Sequence, residues 1–285
     1  MGQLIDGKFI AKELNSKTAA RVAELKQNGV TPKLAVILVG DDRPSRVYVR
    51  KKGETAESVG IDFALHTLSA LTTTADVLAT IDTIQVDPPL SGVIVQLPLP
   101  EHINTQAILN RIRPEVDVDC LTDINLGRLV MKTHTILPPT PGAVMSILET
   151  LDVELIGKNV TIIGVGPLVG KPLAIMMMNA RASVTTCNSK TKDTKAKCLA
   201  ADIIITGVGK KDTLRGDMVR PGTIVIDTGV DFAAGVMFGD VNVPEVVAIA
   251  AHVTPTPGGV GPITVARLLM NTAICAENRK HLCPQ

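Results

Sequence analysis

The sequence predicts an α/β fold of two domains built on parallel sheets, and three observations predict it. Short aliphatic runs alternate with stretches of i, i+3/i+4 apolar spacing along nearly the whole chain. That order places helices on both faces of parallel strands. Apolar residues make up 45% of the chain, yet it holds no Trp, four Phe and one Tyr, so the core is aliphatic, as in strands buried on both faces. With 285 residues the chain is long for one core and sufficient for two.

Strands are expected at 34–40, 62–68, 92–98, 159–164, 183–187, 201–207, 223–227 and 252–254, with helices at 11–27, 44–60, 73–85, 169–179 and 263–278. The second helix follows Asp41 and Asp42, residue types that cap, and carries Pro44 near its first turn. Two stretches break the pattern: Leu-Pro-Pro-Thr-Pro-Gly at 137–142 and Thr-Pro-Thr-Pro-Gly-Gly-Val-Gly-Pro at 254–262. Proline lacks an N–H donor and glycine permits positive φ, so neither stretch is expected to be helix or central strand. They are read as the crossings between a first domain, 1–139 completed by the last helix (263–285), and a second, 140–262.

The net charge of +1 provides no electrostatic footprint for nucleic acid or a membrane surface. No apolar run reaches membrane-spanning length, and the N-terminus, with Asp6, Lys8 and Lys12, lacks a signal-peptide core. A soluble, cytoplasmic protein is expected. The five Cys show no C-x-x-C spacing and the five His no ligand spacing, which points to reduced thiols and no metal site.

The run Asn-Val-Thr-Ile-Ile at 159–163 leads into Gly164, Val165, Gly166, Pro167, Leu168, Val169 and Gly170. Strand, glycine turn and helix together make a Rossmann-type phosphate site, because bare backbone admits pyrophosphate to the helix N-terminus. The spacing is one residue longer than the usual fingerprint, and an ordinary βα turn has similar glycines. The next strand ends in Cys187, Asn188, Ser189, Lys190 and Thr191. It offers no carboxylate for a ribose 2′-OH, but a hydroxyl and an ammonium that suit a 2′-phosphate.

On the helix at 44–60 the inward stripe reads Tyr48, Lys52, Thr55/Ala56 and Val59. A lysine there is open to desolvation, which lowers its pKa and fits it for proton transfer. The position equally suits a lysine whose head stays in water. Gln96, followed by Leu97, ends the strand at 92–98, the sheet edge where ligands gather. Asp117 and Asp119 at i, i+2 read as one buried binder plus one solvated cap, and spacing does not choose between them.

Together these stretches resemble the bifunctional methylenetetrahydrofolate dehydrogenase/methenyltetrahydrofolate cyclohydrolase family. The likeness is carried by 39–52, 92–100, 117–119, 125–127, 164–172, 185–191, 239–241 and 254–264, in family order. It implies an N-terminal α/β folate-binding catalytic domain, a Rossmann-type dinucleotide domain and a homodimer. It also implies NADP, with NAD as the other dinucleotide to test, tetrahydrofolate one-carbon derivatives as substrates, and a place in one-carbon metabolism and purine biosynthesis. By motif, Tyr48, Lys52, Gln96, Leu97 and Asp119 fall on the folate site, with Lys52 serving the chemistry, and Pro257, Gly258 and Gly259 border the folate. Gly164, Val165, Gly166, Ser189, Lys190, Gly229 and Val230 fall on the cofactor site.

Residue types fit that chemistry. Hydride leaves the methylene carbon with the help of a nitrogen lone pair, so the need is alignment, which a two-domain cleft can supply. Water then attacks the methenyl cation, and proton transfers open the adduct. Departures from the family are Cys120 for the usual Gly, Pro139 for Cys or Ala, Val165 and Gly166 for Arg and Ser, and Asn188 for His. Two other readings stand beside this one: a related dehydrogenase of the shikimate or amino-acid type, and a folate-binding paralogue without catalysis.

Overall fold

The computed structural model describes residues 2–233 and 236–282. In chain order the elements are β1 (Gln3–Leu4), α1 (Gly7–Gln27), β2 (Lys33–Val39), α2 (Arg43–Ser58), β3 (Asp62–Leu68), α3 (Thr74–Gln85), β4 (Leu90–Val95), α4 (Thr105–Arg111), α5 (Asp123–Val130) and α6 (Pro139–Thr150). There follow β5 (Asn159–Ile163), α7 (Gly170–Asn179), β6 (Ser183–Cys187), α8 (Thr194–Leu199), β7 (Ile203–Thr206), β8 (Ile224–Asp227), β9 (Asp231–Ala233), β10 (Val236–Phe238), α9 (Val243–Val247), β11 (His252–Val253) and α10 (Val260–Leu282).

The chain divides into two compact units. One holds Glu13–Pro139 and the described residues from Val265 onward. Its parallel sheet has the order β3-β2-β4. Because side chains alternate along a strand, β2 feeds two cores. Leu34, Val36 and Leu38 face a cluster with Val22, Val49, Leu268 and Leu269, while Ala35, Ile37 and Val39 face one with Val77, Ile81 and Ile108. The last helix thus completes this core, and Asn271 Nδ2 ties it down by donating to the carbonyls of Val118 (2.8 Å) and Leu137 (2.7 Å).

The other unit holds the described residues through Lys12 and Thr140–Thr264. Its six-stranded sheet, β1-β11-β8-β7-β5-β6, is parallel throughout, and β9 and β10 form a separate antiparallel hairpin. The sequence assigned residues 1–12 to the first domain. Here β1 pairs in parallel with β11 in the six-stranded sheet, so the chain also crosses between units inside α1. A two-residue strand has too little periodicity to be seen beforehand.

Both Pro/Gly stretches correct the sequence expectation. α6 starts at Pro139 and takes in Pro141 and Gly142, and α10 starts at Val260 and takes in Gly261 and Pro262. All three prolines sit in a first helical turn, where N–H groups have no intrahelical partner to lose. Among the described residues no helix is long and apolar enough to cross a membrane. Cys120, Cys187, Cys198 and Cys275 are free and buried, and Cys283 lies outside the described residues.

Candidate active site

In the three-stranded unit α2 delivers Tyr48 and Lys52. Asp42 caps it, accepting from the Ser45 N–H at 2.9 Å, and Pro44 stands in its first turn, as the sequence indicated. The deepest line on the helix is Ser45, Val49, Gly53 and Ala56, one position off the expected stripe. Gly53 allows this, since a Cβ there would press on the Phe63 ring at 2.9 Å. Tyr48, Lys52 and Thr55 run beside that line, half-buried.

Lys52 Nζ donates to Gln96 Oε1 at 3.0 Å, and Gln96 Nε2 donates to the Leu97 carbonyl at 2.6 Å. The amide at the end of β4 is therefore oriented at both ends, and its oxygen faces the ammonium. The peptide bond from Leu97 to Pro98 is cis, as is that from Thr256 to Pro257. Desolvation pulls the Lys52 pKa down, and the nearby Asp119 charge partly opposes it. Although Lys52 keeps some exposure, its charged end is the enclosed part. Burial pushes the Asp119 carboxyl up to about 6, against the favourable charge of Lys52. Burial also raises the Tyr48 hydroxyl. Dehydration thus moves all three groups away from their ordinary ranges.

The two aspartates take reversed environments. Asp117 is the buried one, 1% exposed, and braces the turn that leads into α5, whose N-cap is Thr122. It accepts from the N–H groups of Leu121 (3.2 Å) and Thr122 (2.9 Å) and from Asn125 Nδ2 (3.0 Å), at the start of α5. Asp119 is half-buried and feels the favourable charge of Lys52. Asp117→Ala is expected to lose about 2–4 kcal/mol of stability, since two buried donors and one part-buried donor would lack an acceptor. An unchanged urea midpoint would contradict this role.

Cys120, next in the chain, has φ +57° and is fully buried. The left-handed backbone explains why glycine is usual there. Its thiol packs in the core, and burial drives its pKa up to about 12, so it is a filler and not a nucleophile.

In the six-stranded unit the remaining candidates follow the carboxyl ends of four parallel strands. Gly164, Val165 and Gly166 follow β5, Ser189 and Lys190 follow β6, Gly229 and Val230 follow β8, and Pro257, Gly258 and Gly259 follow β11. Gly164 has φ +100° and packs on the Gly207 carbonyl oxygen, and Gly170 packs on Gly164 backbone, so neither admits a Cβ. Gly166 has open space around it. The α7 N-terminus has no side-chain cap; the Lys171 N–H donates to the Gly166 carbonyl at 3.0 Å and Pro172 has no N–H, so the Gly170 N–H is the first-turn amide suited to an anion. Asn188 shapes the next turn, accepting from the Lys190 N–H at 2.9 Å while its own N–H donates to Thr191 Oγ1 at 2.9 Å. Ser189 and Lys190 are exposed beside it. The bare turn, uncapped helix and flanking hydroxyl and ammonium fit a dinucleotide phosphate.

Family comparison agrees with both halves. The family model for the tetrahydrofolate dehydrogenase/cyclohydrolase catalytic domain matches residues 5–119, and that for its NAD(P)-binding domain matches 138–280. A protein from Lactobacillus delbrueckii subsp. bulgaricus called bifunctional protein FolD is 42% identical over 99% of each chain. The solved structure of the bifunctional enzyme FolD from Campylobacter jejuni is 40% identical, covers 98% of this chain and 100% of that one, and superposes with a TM-score of 0.95. The Trypanosoma brucei enzyme, solved with NADP and an inhibitor, is 34% identical over 98% of each chain, with a TM-score of 0.93.

Proposed function

The chain belongs to the tetrahydrofolate dehydrogenase/cyclohydrolase family, and we propose that Lys52, Tyr48, Gln96 and Asp119 carry its folate chemistry while the turns after β5, β6 and β8 hold its dinucleotide. The enzyme oxidises 5,10-methylenetetrahydrofolate with NADP and hydrolyses the methenyl product to 10-formyltetrahydrofolate. The observation that carries the residue assignment is the hydrogen bond of the Lys52 ammonium to Gln96 Oε1 at 3.0 Å, with burial lowering the Lys52 pKa and the Asp119 charge opposing it.

NADP, when bound, supplies the hydride acceptor. Gly164, Val165, Gly166 and the Gly170 N–H would hold its pyrophosphate, Ser189 and Lys190 would meet the 2′-phosphate, and Gly229 and Val230 would line the same sheet edge. Asp119 accepts paired hydrogen bonds from the amino and ring N–H edge of the pterin and anchors it. Leu97, whose carbonyl accepts from Gln96 Nε2, shapes the folate surroundings beside Gln96. In the hydrolytic step water adds to the methenyl carbon and Lys52, deprotonated more readily than an ordinary lysine, takes its proton. The carbon–N5 bond then breaks as the hydroxyl releases its proton to solvent and becomes the formyl carbonyl, and Lys52 returns the first proton to N5. Gln96 and Tyr48 hold the lysine on line.

Methenyltetrahydrofolate absorbance, followed with NADP or NAD supplied, tests the scheme. Folate binding without product would favour a non-catalytic paralogue. Val165→Arg is expected to raise the NADP-over-NAD ratio of kcat/KM about tenfold or more, since a charge-assisted contact contributes about 1.5–3 kcal/mol. A ratio that does not move would remove this turn from 2′-phosphate recognition. A homodimer in the cytoplasm serving purine biosynthesis is part of the same proposal, and light scattering of the purified protein reads its oligomeric state.

A further inference from the structure

Two buried carboxylates, Asp227 and Asp240, lie where β7 and β8 end; Asp240 falls in the 239–241 stretch of the family likeness, which gives it no role, and Asp227 falls in none. Asp240 is fully buried and Asp227 is 2% exposed. Asp240 receives the backbone N–H groups of Val208 (2.6 Å) and Lys210 (2.7 Å), one on each oxygen. Asp227 receives Thr206 Oγ1 (2.9 Å), the Gly229 N–H (2.9 Å) and the Val241 N–H (3.0 Å), and its own N–H donates to Thr254 Oγ1 at 2.7 Å. Bare backbone packs on both: a Cβ at Gly229 would collide with the Asp240 carboxylate, and one at Gly239 with that of Asp227.

The arrangement reaches the glycine turn through one peptide group. In a trans peptide the N–H and the preceding C=O point in opposite directions. Asp240 draws the Val208 N–H to itself, and the Gly207 carbonyl oxygen on the other side packs against Gly164, the first glycine of the turn. The Gly207 N–H is fixed as well, donating to the Ile163 carbonyl at 2.9 Å. Asp227 ties the loop after β8, including Gly229, to the Thr206 hydroxyl on the neighbouring strand. Placing two like charges in one buried cluster opposes stability, so maximum stability alone does not account for the pair.

We propose that Asp240 and Asp227 are positioning residues for the dinucleotide: Asp240 sets the loop after β7 against Gly164, and Asp227 sets the loop after β8. This rests on the reading that the dinucleotide lies along these turns. The test measures NADP binding by calorimetry and, without NADP, hydrolysis of methenyltetrahydrofolate. Asp240→Asn puts an amide donor against a backbone N–H while keeping size. The expected result is an NADP Kd raised about tenfold or more with hydrolysis kept within about twofold.

Thr206→Val, which removes one donor from Asp227 with little change of shape, is expected to raise Kd about threefold or more with the same selectivity, and it carries the test if Asp240→Asn does not fold. Gly166→Asp, at an open position, places a negative charge where phosphate is expected. If it leaves NADP affinity intact, the location of the dinucleotide fails and the proposal with it. If it abolishes binding while Asp240→Asn and Thr206→Val leave Kd unchanged, only the positioning role is overturned. Parallel loss of NADP binding and hydrolysis in either variant also overturns it, in favour of a purely structural role.

Discussion

Lys52→Gln is expected to slow hydrolysis of methenyltetrahydrofolate by about 10²–10⁴-fold, the usual contribution of a positioned acid–base group. Glutamine can still hydrogen-bond Gln96, but it cannot take up and return a proton. Oxidation of the methylene substrate should fall far less, because hydride departure needs alignment and no strong base. The two rates, measured on the same preparation, therefore separate. Unchanged hydrolysis would remove Lys52 from the chemistry, and equal loss of both activities would make it a binding residue. Asp119 adds a further check. Its negative charge favours the ammonium form of Lys52, so neutralising Asp119 should lower the Lys52 pKa further.

Asp119→Ala is expected to weaken folate binding by about 10²–10⁴-fold, as two hydrogen bonds to a charged group contribute about 1.5–3 kcal/mol each. NADP binding should stay as it was. Asp119→Asn, which keeps one acceptor, should fall between the wild type and Ala. Equal folate titrations for wild type and Ala variant would sink the anchoring role.

The pH dependence has a definite sign. Burial raises this carboxyl from 3.8 to about 6, so the folded protein binds the proton more tightly than the unfolded chain does. The stability from that preference is complete below pH 3.8 and is lost as pH rises through about 6. Above that the wild type holds an ionised, partly dehydrated acid, so removing it should not lower the melting temperature at pH 7.5. Folate binding by the wild type should follow the opposite course, strengthening as pH rises through about 6, because only the ionised form offers both acceptors.

Much was legible in the residue order because it depends on local physics. Aliphatic runs at β2, β4 and β5 have nearly continuous burial and β3 largely alternates, and the expected strands fall on them within a few residues. Asp42 and Pro44 mark the start of α2, since capping and proline sterics act within one turn. The glycine turn at 164–170 announces itself because close backbone approach excludes every side chain at Gly164 and Gly170. Where the same local rules were applied too strictly, at Pro139 and Pro262, they failed, because a first helical turn tolerates proline.

Other features depend on partners distant in sequence. Periodicity could not tell whether Lys52 is dehydrated, because the groups that enclose and face it, Gln96 and Asp119, come from 44 and 67 positions away. It could not choose between Asp117 and Asp119, since the choice lies in which one meets the donors at the start of α5. The crossing inside α1 is invisible in a helix whose pattern never breaks, and is set by a two-residue strand pairing with β11 near the other end of the chain. Order along the chain specifies elements, because their hydrogen bonds and caps are local. Protonation and anchoring belong to the folded protein, because desolvation and charge act through space between segments that only folding brings together.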